Sequence, residues 1–239
     1  MTRLLSLLFI MLTFTVGSWA RTYVLATGVS NYNNPNINNL AQATKDTKAF
    51  AALAKSKYPD TSILTSSNAN VANVKEKLQA ILNRAGENDQ VIFFFSGHGG
   101  NGFIALVDNV LRYSDLIAMA EKSKAGHITY FIDACLSGSA LNAMKAAKDR
   151  NALNPNLSMM VSSRGTESSL ENKWVGAGFF TQALIKGLRG MADDNNDKNI
   201  SLKEVFKYTF NDVTARTKSE QHPQLFSPEK EQSNVLMSW

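Results

Sequence analysis

Only one cysteine, Cys135, stands in 239 residues, which excludes an intramolecular disulfide and any Cys-rich zinc site. Prolines (5) and glycines (14) are too few for a fibrous or low-complexity chain. No stretch of about 18 consecutive apolar residues occurs, so a conventional membrane-spanning helix is not expected. The chain also has no compact Lys/Arg block. Its bases are scattered, so neither nucleic acid nor a membrane surface is indicated as a partner. What is present is 44% hydrophobic and 19% charged, the composition of a globular chain long enough to bury a large core.

The N-terminus reads as a leader. Arg3 supplies a positive start, residues 4–16 are almost wholly apolar, and Gly17-Ser18-Trp19-Ala20 offers small residues where a signal peptidase cuts. Residues 1–20 are therefore expected to be a signal peptide, and residues 21–239 the mature domain. Loss of Arg3 takes one charge from the formal net +5. No cysteine follows the apolar run to carry a lipid, so no stable membrane anchor is expected after cleavage. The location implied is secreted or periplasmic, where a lone thiol is either buried and inert or kept for its reactivity.

Past the leader, strands and helices alternate. Apolar, β-prone runs at residues 22–29, 62–65, 90–95, 127–132 and 158–163 are separated by helical stripes. Examples are Leu40, Ala43, Thr47, Phe50 and Ala54, then Val71, Val74, Leu78 and Ile81. Further helices are expected over 137–148, 180–188 and 202–213, the last with Val205, Phe206 and Phe210 inward. Residues 90–95 show no polar alternation, as a strand covered on both faces should. The pattern predicts one α/β domain with a mostly parallel central sheet and helices on both faces.

In such sheets function gathers at the carboxyl ends of the strands. Two of these runs end in reactive residues, Ser96-Gly97-His98-Gly99 and Asp133-Ala134-Cys135. If the strands are parallel neighbours, the imidazole of His98 can convert the Cys135 thiol to the nucleophilic thiolate. The N–H groups of Gly99 and Cys135 can then form an oxyanion hole. A core thiol and a loop histidine remain the alternative at this point. The run 97–102 also fits G-x-G-x-x-G, but a dinucleotide site needs a helix to open there and residues 103–107 look like a strand. No G-x-S-x-G elbow is present for a serine hydrolase.

The two motifs, with Cys135 continuing into Leu136-Ser137-Gly138, resemble the catalytic pair of caspase-like cysteine peptidases, most closely the bacterial, metacaspase-like branch. Gly28 to Tyr32, Ser162 to Ser168, Gly178-Phe179-Phe180-Thr181 and Gln221-His222-Pro223-Gln224 add supporting matches, so the similarity covers residues 22–226. The resemblance implies a three-layer caspase-like fold, with residues 21–150 as a large-subunit-like part and 151–239 as a small-subunit-like part. It implies an endopeptidase with Cys135 as nucleophile and His98 as acid/base. It further implies cleavage after Arg or Lys, with Asp46, Ser96, Asp133 and Ser162 binding the substrate. Two carboxylates in a cleft suit a forked guanidinium. The partners implied are proteins or peptides carrying Arg or Lys. Self-cleavage between the helix after the cysteine and the following strand is a further habit of the family, and Lys148 and Arg150 are the candidate sites there. The rival reading is an inactive caspase-like module that binds peptides or partners.

One motif stands apart. Asp193, Asn195, Asp197, Asn199, Ser201 and Glu204 occupy positions 1, 3, 5, 7, 9 and 12 of an EF-hand-like loop, a spacing of oxygen ligands that suits Ca²⁺. Position 6 is Lys198 where the turn asks for glycine, so a non-glycine residue is expected at positive φ there. The chemistry itself requires no cofactor; Ca²⁺ is the one ligand this loop suggests. His127 and His222 are assigned structural roles.

Overall fold

In the computed structural model, residues 20–166, 171–172 and 177–239 are described. Residues 1–19 of the expected leader, and Glu167 and Ser168 of the motif after the fifth strand, lie outside them. Six strands form the central sheet: β1 (Thr22–Gly28), β2 (Thr61–Thr65), β3 (Gln90–Ser96), β4 (His127–Asp133), β5 (Leu157–Val161) and β6 (Gln224–Phe226). Their spatial order is β6-β5-β4-β3-β1-β2, all parallel except β6, which runs antiparallel along β5. Six helices connect them: α1 (Ala43–Lys55), α2 (Val71–Arg84), α3 (Tyr113–Glu121), α4 (Ser139–Asp149), α5 (Phe179–Lys186) and α6 (Leu202–Arg216).

The unbroken apolar run of β3 is explained by two cores. Val91, Phe93 and Phe95 face the layer built from α2, α3 and α4, while Ile92 and Phe94 face α1, α5 and α6. All three of Phe93, Phe94 and Phe95 are fully buried. A strand sandwiched this way cannot carry a polar face, so its sequence loses the two-residue period. Phe94 stacks on Phe50 of α1 with ring centroids 4.3 Å apart, which seats α1 against the sheet.

Boundaries shift where local hydrogen bonds compete with pattern. The glycine-rich run after β3 is partly a small antiparallel sheet, Gly99–Gly100 with Phe103–Ala105 and then Val110–Arg112. Helix α4 starts two residues after Ser137, because Leu136 to Gly138 make the turn that carries the chain off β4. Phe206 and Phe210 of α6 are half-buried; Phe206 packs against the core beside the fully buried Leu202, Val205, Thr209 and Val213, and Phe210 does not. The short edge strand β6 was not expected from the sequence, since a three-residue run has no readable period.

Candidate active site

Strands β3 and β4 run in register, with Ser96 opposite Asp133, and the Gly97 N–H extends the pairing to the Asp133 carbonyl at 3.1 Å. His98 and Cys135 each lie two residues beyond that matched pair, so both leave the sheet at one rim. Their loops touch. A Cβ on Gly99 would lie 2.8 Å from the Ala134 methyl carbon and 2.8 Å from the Cys135 carbonyl oxygen, so any side chain at 99 would push the cysteine loop away. Both His98 and Cys135 are partly exposed, reachable by a substrate yet partly shielded from water.

The histidine is held on three sides. Its Nε2 lies 2.7 Å from the Asn38 carbonyl oxygen. A carbonyl only accepts, so Nε2 carries the proton and, in the neutral ring, Nδ1 keeps the lone pair. The His98 backbone N–H donates to the Tyr32 hydroxyl at 2.8 Å, and that hydroxyl donates to the Val29 carbonyl at 3.1 Å. The Tyr32 ring lies against the imidazole with centroids 5.1 Å apart. Only Tyr32 had a sequence signal, as part of the motif after β1. A backbone acceptor such as Asn38 leaves none.

The cysteine sits on a sharp turn. Leu136, directly after it, has φ 54°, a left-handed conformation that costs a branched residue about 1–2 kcal/mol. Local bonds hold it: the Leu136 carbonyl accepts from the Ser139 N–H at 3.0 Å and the Ser139 hydroxyl at 2.7 Å. The Ser139 oxygen in turn accepts the Gly102 N–H at 3.0 Å, which joins the cysteine turn to the histidine hairpin. Tyr113, at the start of α3, is fully buried, and its phenol is pushed upward by burial and, secondarily, by the charge of Cys135.

The Gly99 N–H points away from its hairpin partner. Ala105 N–H bonds the His98 carbonyl at 2.9 Å, so residues 98 and 105 stand at a hydrogen-bonding position of the antiparallel ladder and keep one of its two bonds, the His98 N–H going to Tyr32. The next position, Gly99 opposite Ile104, is therefore a non-bonded pair whose amide points away from its partner strand.

The two acids converge although they are far apart in sequence. Asp46 and Asp133 are 2% and 6% exposed. The Gly178 N–H donates to Asp46 Oδ2 at 3.0 Å and the Thr181 hydroxyl donates to Asp133 Oδ2 at 2.7 Å. A Cβ on Gly178 would lie 2.9 Å from Asp133 Oδ2 and 3.3 Å from Asp46 Oδ2, so both carboxylates border the space above that glycine. Ser96, between Gly28 and Asp133 on the neighbouring strands, is buried at the same rim. Ser162 is fully buried, and its hydroxyl is bonded to the backbone of Ala134 at 3.1 Å. His127 stands at the opposite end of β4, its Nδ1 2.8 Å from Glu231.

A caspase domain model matches residues 21–233. The chain belongs to the caspase domain family. Caspase-1 from Spodoptera frugiperda shares the fold with a TM-score of 0.70 at 13% identity, over 91% of each chain. The protein GSU0716 from Geobacter sulfurreducens matches with a TM-score of 0.68 at 16% identity, over 91% of this chain and 98% of its own. No curated protein sequence matches this member of the family. The three-layer α/β architecture and the cysteine-peptidase family inferred from the two motifs are thus both present.

The 193–204 loop of this caspase-like domain folds on its own hydrogen bonds. Asp193 accepts the N–H groups of Asp197 at 3.2 Å and Lys198 at 3.0 Å, and Asp197 accepts that of Asn199 at 2.8 Å. Lys198 takes φ 63°, as the missing glycine requires. Glu204, the residue a calcium loop would use to grip the ion with both oxygens, is a helix cap. Its Oε2 accepts the Ser201 N–H at 2.9 Å, its Oε1 the Asp194 N–H at 3.3 Å, and Ser201 completes a capping box for α6. Among the described residues no group of three or more His, Cys, Asp or Glu side chains stands ready to hold a metal ion.

Proposed function

We propose that this protein is a secreted or periplasmic cysteine endopeptidase that cleaves after Arg or Lys. One observation carries the specificity: two buried carboxylates, from α1 and the end of β4, border the same space over Gly178 at the rim that bears Cys135. Two carboxylates at one rim complement a guanidinium or ammonium side chain of the substrate, and Arg can meet them with a fork of donors.

The reaction follows from the site. His98 Nδ1 takes the thiol proton of Cys135, and the thiolate attacks the carbonyl carbon after the basic residue. Negative charge develops on that carbonyl oxygen, where the N–H groups of Gly99 and Cys135 can meet it. His98 then returns its proton to the leaving amine, an acyl-enzyme remains on Cys135, and water activated by His98 releases it. The Asn38 carbonyl keeps the ring oriented through these steps and stabilises its cationic form. No step is assigned to Ca²⁺.

Self-processing at Lys148 or Arg150 would proceed slowly in this arrangement. Lys148 lies inside α4, and the connection to β5 is pinned by buried Asn154, which donates to the carbonyls of Ala120 at 2.8 Å and Ser123 at 3.0 Å. A scissile segment must be extended in the cleft, so the end of α4 would first have to open. The first strand starts at Thr22, directly after the expected leader cleavage, so the leader can be removed without cutting into the fold.

The test compares fluorogenic peptides ending in Arg, Lys or Asp, hydrolysed by wild type and by Cys135→Ala. Hydrolysis of the Arg and Lys peptides by wild type alone is the expected result. A preference for Asp, or equal hydrolysis by Cys135→Ala, overturns the proposal.

A further inference from the structure

The oxyanion donor proposed at Cys135 is one end of a peptide whose other end is gripped from behind. The Ala134–Cys135 peptide is trans, and a trans peptide is planar, so its C=O and N–H point in opposite directions. Whatever holds the Ala134 carbonyl therefore aims the Cys135 N–H. Two hydroxyls hold it: Ser162 Oγ donates at 3.1 Å and Ser163 Oγ at 3.3 Å. Ser162 Oγ also accepts the Ala134 N–H at 3.1 Å, clamping that residue at both of its polar groups. Ser137 Oγ closes the set, 3.4 Å from Ser162 Oγ and 3.3 Å from Ser163 Oγ, and accepts the Ser163 N–H at 3.3 Å. All three serines are fully buried. From the far side, the Gln221 Nε2 donates to the Ser162 carbonyl at 2.8 Å, tying the end of β5 to the segment before β6.

The proton inventory closes. Each serine has one hydroxyl proton; those of Ser162 and Ser163 go to the Ala134 carbonyl, and that of Ser137 goes to one of its two neighbours. Buried hydroxyls are expensive where an alanine would pack as well, and these are spent on one carbonyl next to the nucleophile.

We propose that Ser162 and Ser163 are positioning residues for the oxyanion hole, which aim the Cys135 N–H and strengthen it as a donor by hydrogen bonding to the opposite end of its peptide. Donation to a carbonyl polarises the peptide and makes its N–H the better donor. The serines touch neither the substrate nor the sulfur and act through the backbone. The inference rests on the peptidase reading above. It also gives Ser162 a role behind the site rather than in the substrate pocket.

The test separates acyl transfer, which forms an oxyanion, from alkylation of Cys135 by iodoacetamide, which does not. Ser163→Ala removes one grip on the carbonyl and leaves Ser162 in place. Its kcat on an Arg-ended peptide should fall about tenfold, less than the 10²–10³ cost of deleting a direct oxyanion donor, with KM and the alkylation rate unchanged. Ser162→Ala should lose more, and Ser163→Thr, which keeps the hydroxyl, should recover most of the rate. Hydrolysis and alkylation falling together would mean a displaced nucleophile and overturn the inference, as would an unaffected kcat. A wild type that is alkylated but hydrolyses no peptide sinks the peptidase reading, and this inference with it. An active wild type with an indifferent Ser163→Ala sinks the inference alone.

Discussion

Two groups of carboxylates in this molecule use the same chemistry to opposite ends. In the 193–204 loop, Asp193, Asp197 and Glu204 accept N–H groups two to ten residues away, mostly exposed to water. At the rim of the sheet, Asp46 and Asp133 accept donors 132 and 48 residues away, buried. The loop acids satisfy their own loop and need little from the rest of the fold. The rim acids are assembled only by the fold, out of water, where each ion loses several kcal/mol of solvation. The loop acids, exposed to water, bear no such cost.

The largest effect that can break this comparison is neutralisation. Asp133→Asn or Asp46→Asn keeps the shape and removes one charge. Each is expected to lower kcat/KM for an Arg-ended peptide about 100-fold, the scale of a severed buried charge pair. Glu204→Gln should leave the same assay untouched. Normal Arg cleavage by both rim variants would make the acid pair a structural feature like the loop.

Gly178→Ala sharpens the geometry behind that expectation. The new methyl would press on both carboxylates from 2.9 and 3.3 Å. A forced fit of this kind costs about 1–3 kcal/mol of stability, and it would also narrow the space for the incoming cation. KM for the Arg peptide should rise more than kcat falls. An unchanged KM with lowered stability would place the substrate's cation elsewhere.

Legibility from sequence divides along the same line. The strand ends at His98 and Cys135 could be read because apolar runs and glycines mark them locally, and the register of β3 on β4 then brings them to one rim. The calcium-like spacing could be read because it is a contiguous motif, including the positive φ of Lys198. What the motif could not reveal is that its last acid is engaged as a helix cap, since Ser201-x-x-Glu204 satisfies both patterns. The hold on His98 by the Asn38 carbonyl, the left-handed Leu136 and the serine grip on Ala134 were not legible. Each is a backbone event or a long-range meeting of small residues, and neither leaves a period or a spacing. β6 was missed for a related reason: its three residues pair with β5 across an intervening helix pair.

Glu204→Ala tests the cap directly. Loss of the capping box should cost about 1 kcal/mol of stability. The loss should be the same in EDTA and in millimolar Ca²⁺, read as the shift in denaturant midpoint. A loss seen only with Ca²⁺ would make Glu204 a ligand and put the loop beside the rim as a site waiting for a cation.

Lys198→Gly has the smallest expected effect. A lysine at φ 63° carries about 1–2 kcal/mol of left-handed strain, which glycine removes. Glycine also gives the unfolded chain more freedom, worth about 0.5–1 kcal/mol in the other direction. The balance is a gain of about 0.5 kcal/mol, visible as a slightly higher denaturant midpoint at constant slope, with peptide hydrolysis unchanged. The substitution also restores the residue that a calcium turn prefers at its sixth position and takes a positive charge away from it. If Ca²⁺ then stabilises the Lys198→Gly protein and not the wild type, the lysine is what keeps the loop from being an ion site. If stability falls instead, the Lys198 side chain makes contacts worth more than the strain it bears, and the loop is held by more than its own amides.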